Sequence, residues 1–375
     1  MTTSTDLLHW QDPEPRQALW LSASGHPAPR RVMTADDSVS ADRAYRWACE
    51  GTALLWRGDF QNARQLLQAM ARRVDRKPFK PGATITQTFH LYRQAQLQRA
   101  RVLGMVLVPL NADLRIPLRR APDVRQACLE AYGDIGQDAV VSLRELQGAV
   151  GAHEWRKKGV PIPALGARIH PHYGVFSPIR GEYVDLVARA PLPQPSEAID
   201  VGTGTGVLAA MLAKRGVRHI VATDSDPRAL ACARDNVQRL GLAGRIEVVQ
   251  ADLFPPGRAP LVVCNPPWVP GAAHAGLDRA VFDPDSRMLR GFLAGLPAHL
   301  EPGGEGWLIL SDLAEHLGLR SREELLGLIE GAGLQVIDRL EARPSHAKAQ
   351  SESDPLHAAR AAEITSLWRL ALRPA

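Results

Sequence analysis

The residues best equipped for chemistry lie in two short stretches of the second half of the chain. One is Asn265-Pro266-Pro267-Trp268, which follows the apolar run 261–264. Two successive prolines fix φ and remove two backbone donors. They leave a rigid turn with exposed carbonyls at the end of a strand, where open α/β sheets bind ligands. Asn265 and the Pro266 carbonyl can accept hydrogen bonds from a planar NH2 group, and Trp268 offers a flat face for that group to stack on. The other stretch, 198–207, reads Ala-Ile-Asp-Val-Gly-Thr-Gly-Thr-Gly-Val. A short apolar strand ending at Asp200 runs straight into Gly202, Gly204 and Gly206. Glycine permits positive φ and has no Cβ, so the backbone can turn sharply and a ligand can lie against it. Residues 208–214 then read as a helix whose first amides face back into the turn.

The elements needed to position these stretches follow in order. Strands are expected at 198–201, 219–224, 246–250, 261–264, 307–311, 334–340 and 364–370, with helices at 182–190, 208–214, 228–240, 287–300 and 323–332. The second strand ends at Asp224, about 20 residues past the glycines, where a ribose needs a bidentate acceptor for its two hydroxyls. A Rossmann dehydrogenase uses the same device, so Asp224 alone does not separate the two. The third strand is followed by Asp252 and Leu253. On helix 287–300, Leu289, Phe292, Leu293 and Leu296 fall on the buried face.

The Asp-x-Gly-x-Gly-x-Gly turn, the two acids and Asn-Pro-Pro-Trp occur in the order found in class I S-adenosylmethionine-dependent methyltransferases. Residues 170–340 resemble the group that carries Asn/Asp-Pro-Pro-aromatic. That group comprises the release-factor glutamine methyltransferases, the N6-adenine methyltransferases and the rRNA guanine-N2 enzymes. The turn and tetrad together look closest to the release-factor type. The resemblance implies an α/β fold with a seven-stranded Rossmann-like sheet, the last strand antiparallel between the fifth and sixth. It implies S-adenosyl-L-methionine as cofactor, held by Asp200, Gly202, Thr203, Gly204, Gly206, Asp224, Ser225, Asp252, Leu253 and Asn265. In that fold the segment around Tyr173, Gly174, Val175 and Phe176 forms a lid toward the methionine end, and Asp252 accepts from the adenine amine. Asn265, Pro266, Pro267 and Trp268 would hold the acceptor nitrogen. A sulfonium methyl needs no added acid, so positioning supplies most of the catalysis. Two departures bear on the substrate: the front half is about twice the length usual in that family, and Trp268 stands where Tyr is common.

The totals agree with a soluble two-domain protein. The 375 residues are 45% hydrophobic and 23% charged, with a mean hydropathy of −0.16. The polar N-terminus argues against a secretory signal, and the longest apolar run is too short for a bilayer. A cytoplasmic protein without membrane contact is therefore expected. The four cysteines lack paired or metal-like spacing. His170-Pro-His172 has no further ligand at zinc spacing, so no metal is expected.

Residues 1–165 hold 23 Lys and Arg against 16 Asp and Glu. Such a front half suits a polyanionic partner, although solvated arginine-rich helix faces explain it equally well. Residues 1–40 are proline-rich without periodicity and read as irregular. Helices are expected at 41–56, from Asp59 to about 74, at 86–103 (with Leu91, Tyr92, Ala95 and Val102 inward), at 122–132 and at 142–155, with short strands at 106–108 and around Ile116. The Pro/Gly-rich 159–166 reads as a linker. The expected division is thus a mostly helical substrate-recognition domain at 1–165 and a cofactor-binding domain at 166–375. The reaction expected is N-methylation of a macromolecule, either a glutamine side chain of a translation protein or a base amine of rRNA or DNA. A small-molecule N-methyltransferase is the alternative.

Overall fold

The computed structural model describes residues 6–179, 181–192, 196–273, 278, 280–344 and 354–374. The chain divides into two compact units, Met1–Glu154 and Trp155–Ala375, so the division falls near 154 instead of 165.

The front unit is organised by a sheet that its sequence pattern hid. It contains β1 (Leu7–Asp12), β2 (Glu14–Leu21), β3 (Arg31–Ala35), α1 (Ala41–Cys49), β4 (Thr52–Trp56), α2 (Phe60–Val74), α3 (Ile85–Leu103), β5 (Val106–Leu110), α4 (Arg125–Tyr132), β6 (Ala139–Ser142) and the start of α5 (Leu143–Lys158). The six strands pair in the order β1-β2-β6-β5-β4-β3. Helices still hold more of its residues than strands do. Four expectations fail here. Residues 1–40 include three strands. The helix expected over 41–56 stops at Cys49, because Gly51 turns the chain at φ 82° and the apolar run after it becomes β4. On α3, Val102 is buried as expected, but Leu91 is 43% exposed and Ala95 is exposed too. Ile116 is buried outside any strand. The start of α2 is as read: Asp59 caps it, its Oδ1 accepting from Gln61 N–H at 2.8 Å.

The back unit opens with an antiparallel hairpin of β7 (Val160–Ile162) and β8 (Ala167–Ile169), where a plain linker was expected. There follow α6 (Glu182–Arg189), β9 (Glu197–Val201), α7 (Val207–Lys214), β10 (His219–Asp224), α8 (Pro227–Arg239), β11 (Ile246–Gln250) and β12 (Ala259–Cys264). Next come the two-residue strands β13 (Val269–Pro270) and β14 (Phe282–Asp283), then α9 (Arg287–His299), β15 (Leu300–Ser311), α10 (Leu313–His316), α11 (Arg322–Gly331), β16 (Leu334–Ala342), α12 (His357–Ala362) and β17 (Thr365–Leu372). Seven strands form one sheet in the order β11-β10-β9-β12-β15-β17-β16. β17 runs antiparallel to both neighbours and the others run parallel.

Parallel strands carry helices on both faces, so their residues are apolar on both sides. All six residues of β12 are buried. One core gathers Val184, Leu186, Met211 and Trp307. The other gathers Leu289, Phe292, Leu296, Leu308 and Trp368. The four residues of α9 expected inward are all buried. Among the described residues, no helix is long and apolar enough to cross a membrane.

Candidate active site

At the end of β9 the chain passes through Gly202, Gly204 and Gly206 with φ of 72°, 56° and 80°, conformations that cost an L side chain 1–2 kcal/mol or so each. Packing does not explain all three. A Cβ on Gly204 would meet nothing within 4 Å, whereas one on Gly202 would lie 2.5 Å from Cε of Met288. Gly204 therefore presents bare backbone to open space.

The turn is tied to the two neighbouring strand ends. Thr203 N–H donates to the Thr223 carbonyl at 2.8 Å, and Gly204 N–H donates to Oδ2 of Asp224 at 3.0 Å. The other oxygen of Asp224 accepts from Asp226 N–H at 2.9 Å. Burial raises the pKa of Asp224, and those amide bonds oppose the rise. Asp200 sits beneath the turn at 1% exposure. Its Oδ2 accepts from Thr203 Oγ1 at 2.6 Å and from Ala209 N–H at 3.1 Å. Its Oδ1 is buried without a partner, and burial pushes its pKa up to about 6. A bare glycine cradle, a half-buried carboxylate at its rim and an orphaned carboxylate oxygen beneath it suit a cationic, hydroxyl-bearing ligand. S-adenosylmethionine fits: Asp224 can take the ribose hydroxyls and the cradle its chain.

The remaining donor-side residues are placed unevenly. Leu253 takes φ 75°, its carbonyl accepts from Thr223 Oγ1 at 2.5 Å, and its side chain lies against Gly291 of α9. Ser225 is exposed beside Asp224. Asp252 is turned to solvent, its side chain 73% exposed and paired with Arg287 at 3.1 Å. Phe176 is 37% exposed. The segment leading to it is pinned along α8, with His172 Nε2 at 3.0 Å from Asp235 and Val175 packed against Ala229 and Cys232.

His170 and His172 face different partners. Nδ1 of His170 is 2.6 Å from the Arg156 carbonyl. Cys264 is fully buried, and that burial drives its thiol pKa well above the usual value, so it is not a nucleophile.

The Asn265–Trp268 turn emerges beside the glycine turn. β12 and β9 are adjacent and parallel, with Cys264 opposite Val201. Asn265 and Gly202, the next residue on each strand, therefore leave the sheet as neighbours about 5 Å apart. Trp268 is half-buried, and its indole Nε1–H donates to Oδ1 of Asn265 at 2.8 Å. The tryptophan thus fixes the rotamer of Asn265 and occupies one lone pair of its oxygen, a role the sequence did not suggest. That oxygen keeps a second lone pair.

Three contributing residues were missed. Asn236, mid-helix on α8 and 1% exposed, donates to the Thr205 carbonyl at 3.1 Å while its Oδ1 accepts from His170 N–H at 2.7 Å. It links the glycine turn to the segment that leads to Phe176. A buried asparagine inside a helix was the available signal. Asp283 caps α9 by accepting from Met288 and Leu289 N–H at 3.0 and 3.1 Å, which sets Met288 against Gly202. Arg320, 4% exposed, reaches the Trp268 carbonyl at 3.5 Å. The last two carry no local sequence signature.

Sheet order, glycine turn and strand-end acids together define a class I S-adenosylmethionine-dependent methyltransferase domain, which is the class the turn and tetrad implied. Residues 166–327 match the methyltransferase small domain family. A release factor glutamine methyltransferase from Cereibacter sphaeroides is 36% identical over 161 residues, covering 39% of this chain and 55% of that protein. A ribosomal protein L11 methyltransferase from Pelotomaculum thermopropionicum is 50% identical over 68 residues, covering 18% and 22%. A ribosomal RNA small subunit methyltransferase C from Alcanivorax borkumensis is 36% identical over 120 residues, covering 32% and 33%. The chain spans about half or less of the length of these relatives.

Proposed function

We propose that the protein transfers a methyl group from S-adenosylmethionine to the planar NH2 of a macromolecule. The observation that carries this reading is the strand register that sets Asn265 beside Gly202. That register brings the proline-fixed turn next to the glycine turn at the carboxyl edge of one sheet, which supports reading the two as acceptor and donor sites.

When bound, the cofactor supplies an electrophilic methyl on a positive sulfonium. Asn265 and the Pro266 carbonyl would accept the two N–H bonds of the substrate and aim the nitrogen lone pair at that methyl. The chain's own part would be to hold and orient that nitrogen, whose proton would pass to solvent once the methyl is transferred. Asp224 would hold the ribose, and Asp200 would set the turn through Thr203 and Ala209. An adenine amine would reach Asp252 only in competition with Arg287. Residues 1–154 are proposed to select the substrate, with 155–375 performing the transfer.

A protein glutamine and a base amine present the same NH2, and relatives bearing both kinds of name are matched. The test incubates the enzyme and methyl-labelled cofactor with extract from cells lacking the protein, followed by nuclease or protease treatment. N-methylglutamine or an N-methylated base is the expected product. Label on oxygen or carbon, or only on free metabolites, would overturn the reading.

A further inference from the structure

The front unit holds a cavity that the transfer chemistry does not use. Its two edge strands, β1 and β3, sit at opposite ends of the sheet order and yet lie against each other, so the sheet curls until its edges meet. In this seam is an open cavity of about 440 Å3. Arg16, Arg30 and Arg31 line it, together with His9, Trp10, Gln11, Pro15, Val32 and Thr52; among the described residues no carboxylate does. The register explains the convergence: Trp10 stands opposite Arg16 on β1 and β2, and Arg31 opposite Thr52 on β3 and β4.

The three guanidiniums are uncompensated. Arg16 donates to the Asp12 carbonyl and Arg31 to the Glu50 carbonyl, contacts that neutralise no charge. Among the described residues, none of the three forms an ion pair. The carboxylate of Asp12, whose carbonyl accepts from Arg16, is already paired with Arg57 at 3.5 Å, and Arg57 lies over the Trp10 ring at 5.9 Å. In addition, the indole Nε1 of Trp10 is buried without a hydrogen-bond partner. Indole N–H only donates, so the cavity offers fixed donors and positive charge with apolar walls between them.

We propose that this seam binds the sugar-phosphate backbone of a single-stranded nucleic acid. Arginine forks match phosphate oxygens bidentately, and the orphaned indole N–H needs one further acceptor. Val32, Pro15 and the Trp10 ring suit a sugar or base edge between charges, which an evenly acidic peptide lacks. The inference is independent of methyl transfer and is read without it.

The test uses the full-length protein and a fluorescein-labelled single-stranded RNA of about 20 nucleotides. Anisotropy gives Kd between about 50 and 200 mM salt. R16Q/R30Q/R31Q is expected to weaken binding at least about tenfold and to lower the salt slope by roughly 2, since each single-strand phosphate contact adds about 0.7. W10F is expected to weaken binding a fewfold with the slope unchanged. Binding of S-adenosylhomocysteine to the triple variant checks that the back unit is folded. Should the triple variant not fold, R30Q alone must lower the slope by about 0.7. An unchanged Kd and slope would overturn the proposal, and so would tight binding of polyglutamate with none of RNA.

Discussion

Replacing Asp224 with asparagine tests the donor pocket at its rim. The carboxylate accepts one backbone N–H on each oxygen, Gly204 at 3.0 Å and Asp226 at 2.9 Å. Asparagine keeps a single oxygen, so its NH2 end must face one of those amides and leave it unpaired. An unsatisfied partly buried donor costs about 1–3 kcal/mol. For a unit of this size that lowers Tm by a few degrees, at about 2–4 °C per kcal/mol. The same exchange removes a charged acceptor from the ribose hydroxyls, worth about 1.5–3 kcal/mol. Affinity for S-adenosylhomocysteine should therefore fall roughly tenfold to a hundredfold. Isothermal titration at neutral pH and a thermal melt read the two effects separately. If D224N melts a few degrees lower but binds within about twofold of wild type, Asp224 only ties the turn and does not hold the ribose.

Three further outcomes are expected. Asp200 titrates at about 6 in the folded protein and near 3.9 unfolded, so between those values the native state binds more protons. Ligand-free stability should fall by about 3 kcal/mol as pH rises through that window and level off above it. Urea unfolding of D200N should lack this slope, and parallel pH curves for the two proteins would contradict the assignment. W268F removes the N–H that holds Asn265 Oδ1, a loss of about 1 kcal/mol; kcat should drop about fivefold while cofactor affinity holds, and equal loss in both would point to a general collapse of the site. R320M replaces a buried, poorly satisfied cation with an apolar side chain, which is often neutral or stabilising. Tm should hold or rise while kcat falls a fewfold because the Trp268 carbonyl loses its donor, and an unchanged kcat would remove Arg320 from the turn's support.

The back unit was readable because its defining residues carry backbone constraints of their own. Glycines at three left-handed positions, two prolines after an apolar strand and acids at strand ends mark the carboxyl edge of a parallel sheet whatever surrounds them. Strand 246–250 and the antiparallel position of the last strand came out as read. The front unit lacks such marks. β2 is exposed over its first four residues and buried over its last four, so it shows no alternation, and Pro13 and Pro15 suggested loop. Thr52–Trp56 continues an apolar helical spacing and is separated from α1 only by the positive φ of Gly51. Leu91 and Ala95 fit an inward stripe on α3, yet spacing does not say which face meets a neighbour. Within the site, contacts set by tertiary structure escaped the sequence: Trp268 on Asn265, Asp252 on Arg287, Asp283 under α9 and Arg320 behind the turn.

The measurement that bears most directly on the central claim compares cofactor binding and methyl transfer in Asn265→Ala. Its Cβ keeps the turn's backbone, and Pro266 and Pro267 still fix it. With donor cradle and acceptor turn as separate neighbours, S-adenosylhomocysteine should bind as tightly as to wild type. Transfer to the labelled substrate should drop by about a hundredfold or more, as expected when a positioning group is lost. Transfer at the wild-type rate with binding intact would contradict the assigned role of Asn265 and with it the case for an NH2 acceptor.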